Sequence, residues 1–159
     1  MLVHDFTYIH VPAGVVRAHL VEGPRAWLDS LATQAAAAGD ALSLRLGPHG
    51  QHSTLSKHIA VEIGQAVPRD GAVVVPLTWH ATGAPALFPV FSGDIELAAI
   101  GGAETQLSIW GRYDPPLGAF GEALDRFGLH RVAEASVRAF LRDLAQSIEA
   151  SERTRRAAS

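Results

Sequence analysis

The chain has 159 residues, 48% of them apolar and 18% charged, with a formal net charge of −3. That is one domain's worth of sequence. It excludes a disordered charged tail and offers a nucleic-acid backbone no global attraction. With no cysteine, disulfides, thiolate catalysis and Cys-based zinc or iron–sulfur sites are impossible.

No apolar run approaches the roughly 20 residues of a membrane span. The start Met1-Leu2-Val3-His4-Asp5 lacks the basic-then-apolar plan of a signal peptide, so a soluble, cytoplasmic domain is expected. In chain order, Asp5 to Val11 alternates, carries aromatic and β-branched residues, and predicts a strand ended by Pro12 and Gly14. Two short helices are expected next. The first covers about 15–21 and is weak. The second follows Gly23-Pro24, with Trp27, Leu28, Leu31 and Ala35 on one face, and should stop at Gly39 after four alanines.

From residue 41 the period changes to two. Leu42, Leu44 and Leu46 alternate with Ser43 and Arg45 and predict a strand before the turn Gly47-Pro48-His49-Gly50. The next run sets Ile59, Val61, Ile63 and Val67 on one face, with His58 and Glu62 on the other. It ends at the turn Pro68-Arg69-Asp70-Gly71. Val73, Val75, Leu77 and Trp79 share a face of the following strand, in which Pro76 predicts an edge position or a bulge. Then Phe91, Gly93, Ile95 and Leu97 oppose Ser92, Asp94 and Glu96. After Gly101-Gly102, Thr105, Leu107, Ile109, Gly111 and Tyr113 oppose Gln106, Ser108, Trp110 and Arg112. Short connections predict an antiparallel meander with one face covered. The cover is helical and begins after Asp114-Pro115-Pro116. Leu117, Phe120, Leu124 and Phe127 recur at helical steps, and Val132, Val137, Phe140, Leu141, Leu144 and Ile148 continue them past Gly128. A helix of about 20 residues is about 30 Å long and can cross a whole sheet. One domain over 1–150 is expected, with 151–159 frayed.

This is the element order of the α+β helix-grip fold, a curved antiparallel sheet wrapped around a long C-terminal helix. Three stretches carry a closer likeness: Val75-Pro76-Leu77-Thr78-Trp79-His80-Ala81-Thr82-Gly83, Leu87-Phe88-Pro89-Val90-Phe91-Ser92-Gly93-Asp94-Ile95-Glu96-Leu97, and Gly111-Arg112-Tyr113-Asp114-Pro115-Pro116-Leu117-Gly118 with its following helix. They resemble the START/Bet v 1-like (SRPBCC) superfamily, in particular bacterial, largely uncharacterised members of its polyketide cyclase/dehydrase and lipid-transport group. The likeness covers about residues 57–150, and the first 56 residues match by element order only. It implies an apolar ligand held in a cavity between sheet and helix. It names no ligand, because this architecture hosts carriers, receptors, cyclases and co-chaperone domains. The chain departs from the pattern at Thr78 and His80, where relatives often carry charged residues, so polar chemistry there is not carried over.

On this reading the cavity wall is Val75, Leu77, Trp79, Phe91, Ile95, Leu107, Ile109 and Tyr113 from the sheet. The helix adds Val137, Phe140, Leu141 and Leu144. Tyr113, Trp79 and His130 would orient a ligand by their polar ends. The alternative is that the same residues close-pack as core.

Metal and nucleotide sites lack support. His49 and His52 form H-x-x-H in a glycine/proline turn with no acidic ligand nearby, which fits a solvated loop; His4 and His10 share strand parity but lie six residues apart. No G-x-G-x-x-G, P-loop or G-x-S-x-G motif occurs. His80 with Glu62 or Asp94, and Arg112, point away from the covered face as exposed pairs worth a few tenths of a kcal/mol. Tyr113 is the one weak catalytic candidate, able to polarise a carbonyl while a histidine moves a proton.

The expected function is therefore binding or transport of a hydrophobic small molecule (lipid, polyketide or isoprenoid-like) by a monomer or homodimer. No cofactor, nucleic acid or membrane span is expected. A cyclase, aromatase or dehydratase using the same cavity is the alternative. A further one is an interaction module using the outer face around Trp110, an aromatic that is otherwise shielded by a neighbouring strand.

Overall fold

The computed structural model describes residues 1–23, 25–46, 58–82, 90–114 and 126–158, excluding the side chains of 25–26, 38–46, 58, 81–82 and 126–129. Strand β1 (Leu2–Ile9) leads into helices α1 (Ala13–Glu22) and α2 (Arg25–Leu46). Strands β2 (His58–Ile63), β3 (Val67–Arg69), β4 (Ala72–Thr82), β5 (Val90–Ile100) and β6 (Glu104–Asp114) follow, and α3 (Arg126–Ala157) comes last. The sheet runs β1-β6-β5-β4-β2, every pairing antiparallel, with β3 also on β4. This is the expected meander, left open, with β1 returning beside β6 as one edge and β2 as the other.

The strand faces follow the period-two pattern. Val75, Leu77, Ile95, Leu97, Leu107 and Ile109 are buried on the inner face, against Val137, Phe140, Leu141, Leu144 and Ile148 of α3. α3 lies along β1 and β6, α2 lies over β2, and the two helices pack on each other. Two helices therefore share the cover that was expected from one. None of the helices among the described residues is long and apolar enough to cross a membrane.

The strand expected over 42–46 is helix instead, because α2 runs on through Gly39 to Leu46. Three alternating leucines also fit a helix, since Leu42 and Leu46 are one turn apart and extend the stripe of Leu28, Leu31 and Ala35. Once a helix is nucleated, each further residue gains a hydrogen bond. That outweighs a mid-helix glycine, which costs about 1 kcal/mol.

Pro76 lies in an interior strand, and the sheet accommodates it by interrupting the neighbour. The run expected from Ile59 to Val67 is two strands: Ile63 pairs with Leu77, and pairing resumes only at Val67 with Val74. Between them the Pro76 carbonyl accepts the Gly64 N–H at 2.8 Å. Backbone N and C=O of one strand residue face the same neighbour, so the N–H that proline lacks also faces this gap. Val67, expected on the covered face, is 53% exposed. The Asp70-Gly71 turn has positive φ at both residues, 44° and 85°, as a tight hairpin requires.

Side chains cap some of the outward N–H groups at both sheet edges. At β2 the N–H groups of Ile59 and Val61 donate to Thr33 Oγ1 (3.0 Å) and Asp29 Oδ1 (2.7 Å) of α2. At β1, Met1 and Tyr113 exchange both backbone bonds, so alternate residues from Leu2 onward turn their backbone outward. There the Phe6 N–H donates to Asp5 Oδ1 at 2.9 Å, and Asp5 Oδ2 accepts Arg138 Nε of α3 at 3.0 Å. Just past the strand, the His10 N–H donates to Glu149 Oε1 at 3.0 Å. Edges capped this way resist addition of a further strand.

The tail expected to fray over 151–159 is helical to Ala157. Glu152 anchors it. This buried carboxylate accepts Arg155 Nη2 at 2.6 Å and lies 3.2 Å from His19 Nε2 of α1. The partner stands 133 residues away in sequence, beyond any local pattern. The Arg155 hydrogen bonds, and then His19, hold the Glu152 carboxyl below its ordinary value of 4.5. A carboxyl depressed in the folded state contributes stability that is fully present above 4.5 and lost as pH falls through the lower folded value. Urea unfolding of wild type and Glu152→Gln should therefore differ most near neutral pH and converge as pH falls below 4.5 and through the lowered folded value. A gap that stays constant with pH would show that the carboxylate's charge plays no part.

Candidate functional site

One row of the sheet is aromatic. The register pairs Trp79 of β4 with Phe91 of β5, and Phe91 with Tyr113 of β6, all on the inner face. Phe140 comes down on this row from α3. Ring centroids are 4.6 Å apart for Trp79–Phe91, tilted by 31°, and 5.1 Å for Trp79–Phe140, tilted by 59°. Such spacings fall in the range where aromatic pairs attract beyond simple burial.

The next row explains how Phe91 fits. Gly93 and Gly111 stand opposite each other, and the Phe91 ring folds over both. A methyl group at Gly111 would sit 2.8 Å from Phe91 Cζ and 2.6 Å from the Gly93 Cα. Two facing glycines let the strands approach closely at this point, which allows a sheet to bend around a helix. Below the glycines, Val75, Ile95 and Ile109 form a third row.

The wall residues named from sequence come together on this surface. Val75, Leu77, Trp79, Phe91, Ile95, Leu107, Ile109, Tyr113, Val137, Phe140, Leu141 and Leu144 belong to one cluster, and the most exposed of them, Trp79, reaches only 3%. His130 stands apart. Its side chain is 45% exposed and lies 3.2 Å from Glu134 on the surface of α3, so it does not reach the wall. Leu117, Phe120, Leu124, His49 and His52, and the side chain of Phe127, lie outside the described residues.

Polar groups near the wall are few and already engaged. The buried polar residues among those described are Thr105, Ser108, Ser136 and Glu152. Thr105 Oγ1 donates to the Val11 carbonyl, Ser136 Oγ donates to the Val132 carbonyl, and Glu152 holds His19 and Arg155. Among the described residues no buried side-chain nitrogen or oxygen lacks a hydrogen-bond partner.

The outer-face candidates do not converge. Among the described residues no ion pair joins His80 to Glu62 or Asp94, Arg112 Nε pairs with Asp114 at 2.9 Å, and His10 Nδ1 lies 3.3 Å from Glu104. No group of three potential metal ligands occurs among the described residues. Sequence reasoning missed the His19–Glu152–Arg155 cluster, whose only local signal is the three-residue spacing of Glu152 and Arg155.

No family model matches the sequence, and no curated protein matches it. Solved structures match in fold. A conserved protein from Geobacillus kaustophilus is 14% identical with a TM-score of 0.52, covering 95% of this chain and 97% of its own. The Zhui aromatase/cyclase from Streptomyces sp. R1128 is 15% identical over 94% of this chain and 93% of its own, with a TM-score of 0.44. Ara h 8.0201 is 14% identical over 93% and 97%, with a TM-score of 0.41. The architecture is that of an α+β helix-grip protein.

Proposed function

We infer that the protein binds an apolar small molecule, of lipid, polyketide or isoprenoid type, between the inner face of the sheet and α3. The observation supporting this is the aromatic row Trp79–Phe91–Tyr113 under Phe140: a largely apolar surface beside a close-approaching glycine pair, with no unpaired buried side-chain polar atom among the described residues. Proton-transfer chemistry fits less well. No histidine is among the described buried polar residues, and the buried Glu152 is committed to His19 and Arg155. The protein on this reading is a cytoplasmic carrier without a cofactor.

Magnitudes limit the ligand. The wall is closed here, with Phe140 at 0% exposure, so a ligand must first lift Phe140 off Trp79. That costs up to about 3–5 kcal/mol, the worth of a buried phenylalanine. A benzene-sized guest burying about 100 Å² returns only about 2.5 kcal/mol, whereas about 300 Å² of buried apolar surface returns about 7.5 kcal/mol. Only the longer molecule wins.

Native mass spectrometry of the purified protein, with organic extraction of what travels with it, tests this reading. A stoichiometric apolar passenger is expected, and Tyr113→Phe should weaken its binding by no more than about tenfold, the worth of one hydrogen bond. A clean apo mass, together with no saturable response to a fluorescent fatty acid, would identify the row as filled core and end the carrier reading.

A further inference from the structure

The outer face of the sheet carries an apolar patch that no described element covers. Leu2 is 80% exposed, Tyr8 52%, Phe6 50% and Trp110 41%. The rings of His4, Phe6 and Tyr8 follow one another along β1, at centroid spacings of 6.4 and 5.9 Å. The register lays the face out as rows across β5, β6 and β1. One reads Ser92, Arg112, Leu2; the next Asp94, Trp110, His4; the third Glu96, Ser108, Phe6. Trp110 thus has an acid on one side and a histidine on the other. Among the described residues neither Asp94 nor Glu96 has an ion-pair partner in its own chain.

This layout is complementary to itself. Two copies facing each other about a two-fold axis along β6 set β5 of one over β1 of the other, row for row. Trp110 then meets Trp110 on the axis, and Asp94 of each copy meets His4 of the other, twice; Arg112 also meets its own copy on the axis, each guanidinium carrying Asp114 at 2.9 Å as its counter-charge. A histidine N–H can donate to a carboxylate in either protonation state. A two-fold axis across the strands at this patch sets Asp94 against Glu96, or against its own copy, and like charges placed opposite each other repel. Association through the sheet edges is disfavoured, because the N–H groups of Phe6, Ile59 and Val61 are already capped. Aligned face-to-face packing is an ordinary way for two sheets to meet.

We propose that this face is the contact between two copies of the chain. Three half-exposed rings and Leu2 present about 400 Å² of apolar surface per copy, near half of the roughly 800 Å² per partner in a stable interface. The dimer is therefore weak and depends on concentration, with its geometry set by the Asp94–His4 pairs.

Sedimentation velocity on the full chain, from about 5 to 500 µM, spans the range in which so small an interface assembles. Wild type should pass from monomer to dimer across that range, and Trp110→Ala should stay monomeric. Asp94→Lys and His4→Asp should each raise the dissociation constant about tenfold or more, and the double variant should return to within about threefold of wild type. Thermal melts confirm that these exposed positions leave the fold intact; should Trp110→Ala melt early, Trp110→Lys takes its place. A wild type that is monomeric throughout overturns the proposal, as does a dimer indifferent to both Trp110 substitutions. Failure of the double variant to recover overturns the two-fold arrangement on which it rests. A face that binds some other macromolecule while the chain remains monomeric counts against it equally.

Discussion

Phe140→Ala should lower the free energy of unfolding by about 3–5 kcal/mol, near the top of what one side chain can cost. The ring is fully buried and sits 5.1 Å from Trp79, joining α3 to β4. Its loss removes the transfer energy of a phenyl group and leaves a void between two rigid elements, neither of which can collapse freely into it. Urea unfolding followed by near-ultraviolet circular dichroism measures the loss. A cost below about 1 kcal/mol would mean that α3 is not seated on the aromatic row. The same variant bears on ligand binding. If the wall opens by lifting Phe140, the truncated protein no longer spends that energy, so an apolar ligand should bind it more tightly than wild type and restore part of the lost stability. If the row is only core, small aromatic solutes will fill the void but long ligands will gain nothing.

The second large effect is expected at the glycine pair. Gly111→Val should cost about 3 kcal/mol or more, at or beyond the upper end of ordinary overpacking. Neither Gly93 nor Gly111 has positive φ, so their requirement is for space. A Cβ at Gly111 would meet the Gly93 Cα and the Ser92 carbonyl oxygen, each at 2.6 Å, and Phe91 Cζ at 2.8 Å. Two of these are backbone atoms of a paired strand and cannot rotate away. The third belongs to the ring that packs on Trp79 at 4.6 Å, so the strain bears on the aromatic row. Gly14, near the start of α1, is the matched control: nothing lies within 4 Å of its would-be Cβ. Gly14→Ala should be neutral or stabilise by up to about 1 kcal/mol, through helix propensity and a less disordered unfolded chain. Equal costs at the two positions would mean that the strands do not approach closely at Gly93 and Gly111.

Much of the fold was legible in the residues because the signals are local. Leu107, Ile109 and Tyr113 face inward and Trp110 and Arg112 outward, since a strand turns alternate side chains to opposite sides whatever its neighbours are. The helical spacing of Val137, Phe140, Leu141, Leu144 and Ile148 likewise set which side of α3 is buried. That these residues share one buried cluster followed from the same two periods.

Other features depend on residues far apart in sequence, where no period reaches. Leu42 to Leu46 fits both a strand and a helix over so short a run, and continuation of α2 settled it. Pro76 reads as an edge or a bulge, and only the gap between β2 and β3 shows how an interior strand holds it. The end of α3 looked loose until Glu152 met His19 across 133 residues. His130 has helical parity with the core but stands outside it, beside Glu134. The sequence by itself thus determined which faces are apolar, because hydrophobic periodicity is written residue by residue. Tertiary structure alone decided how those faces close on one another, because the distance from Phe140 to Trp79, or from one glycine to the glycine across the sheet, is a property of the packed elements and of neither strand alone.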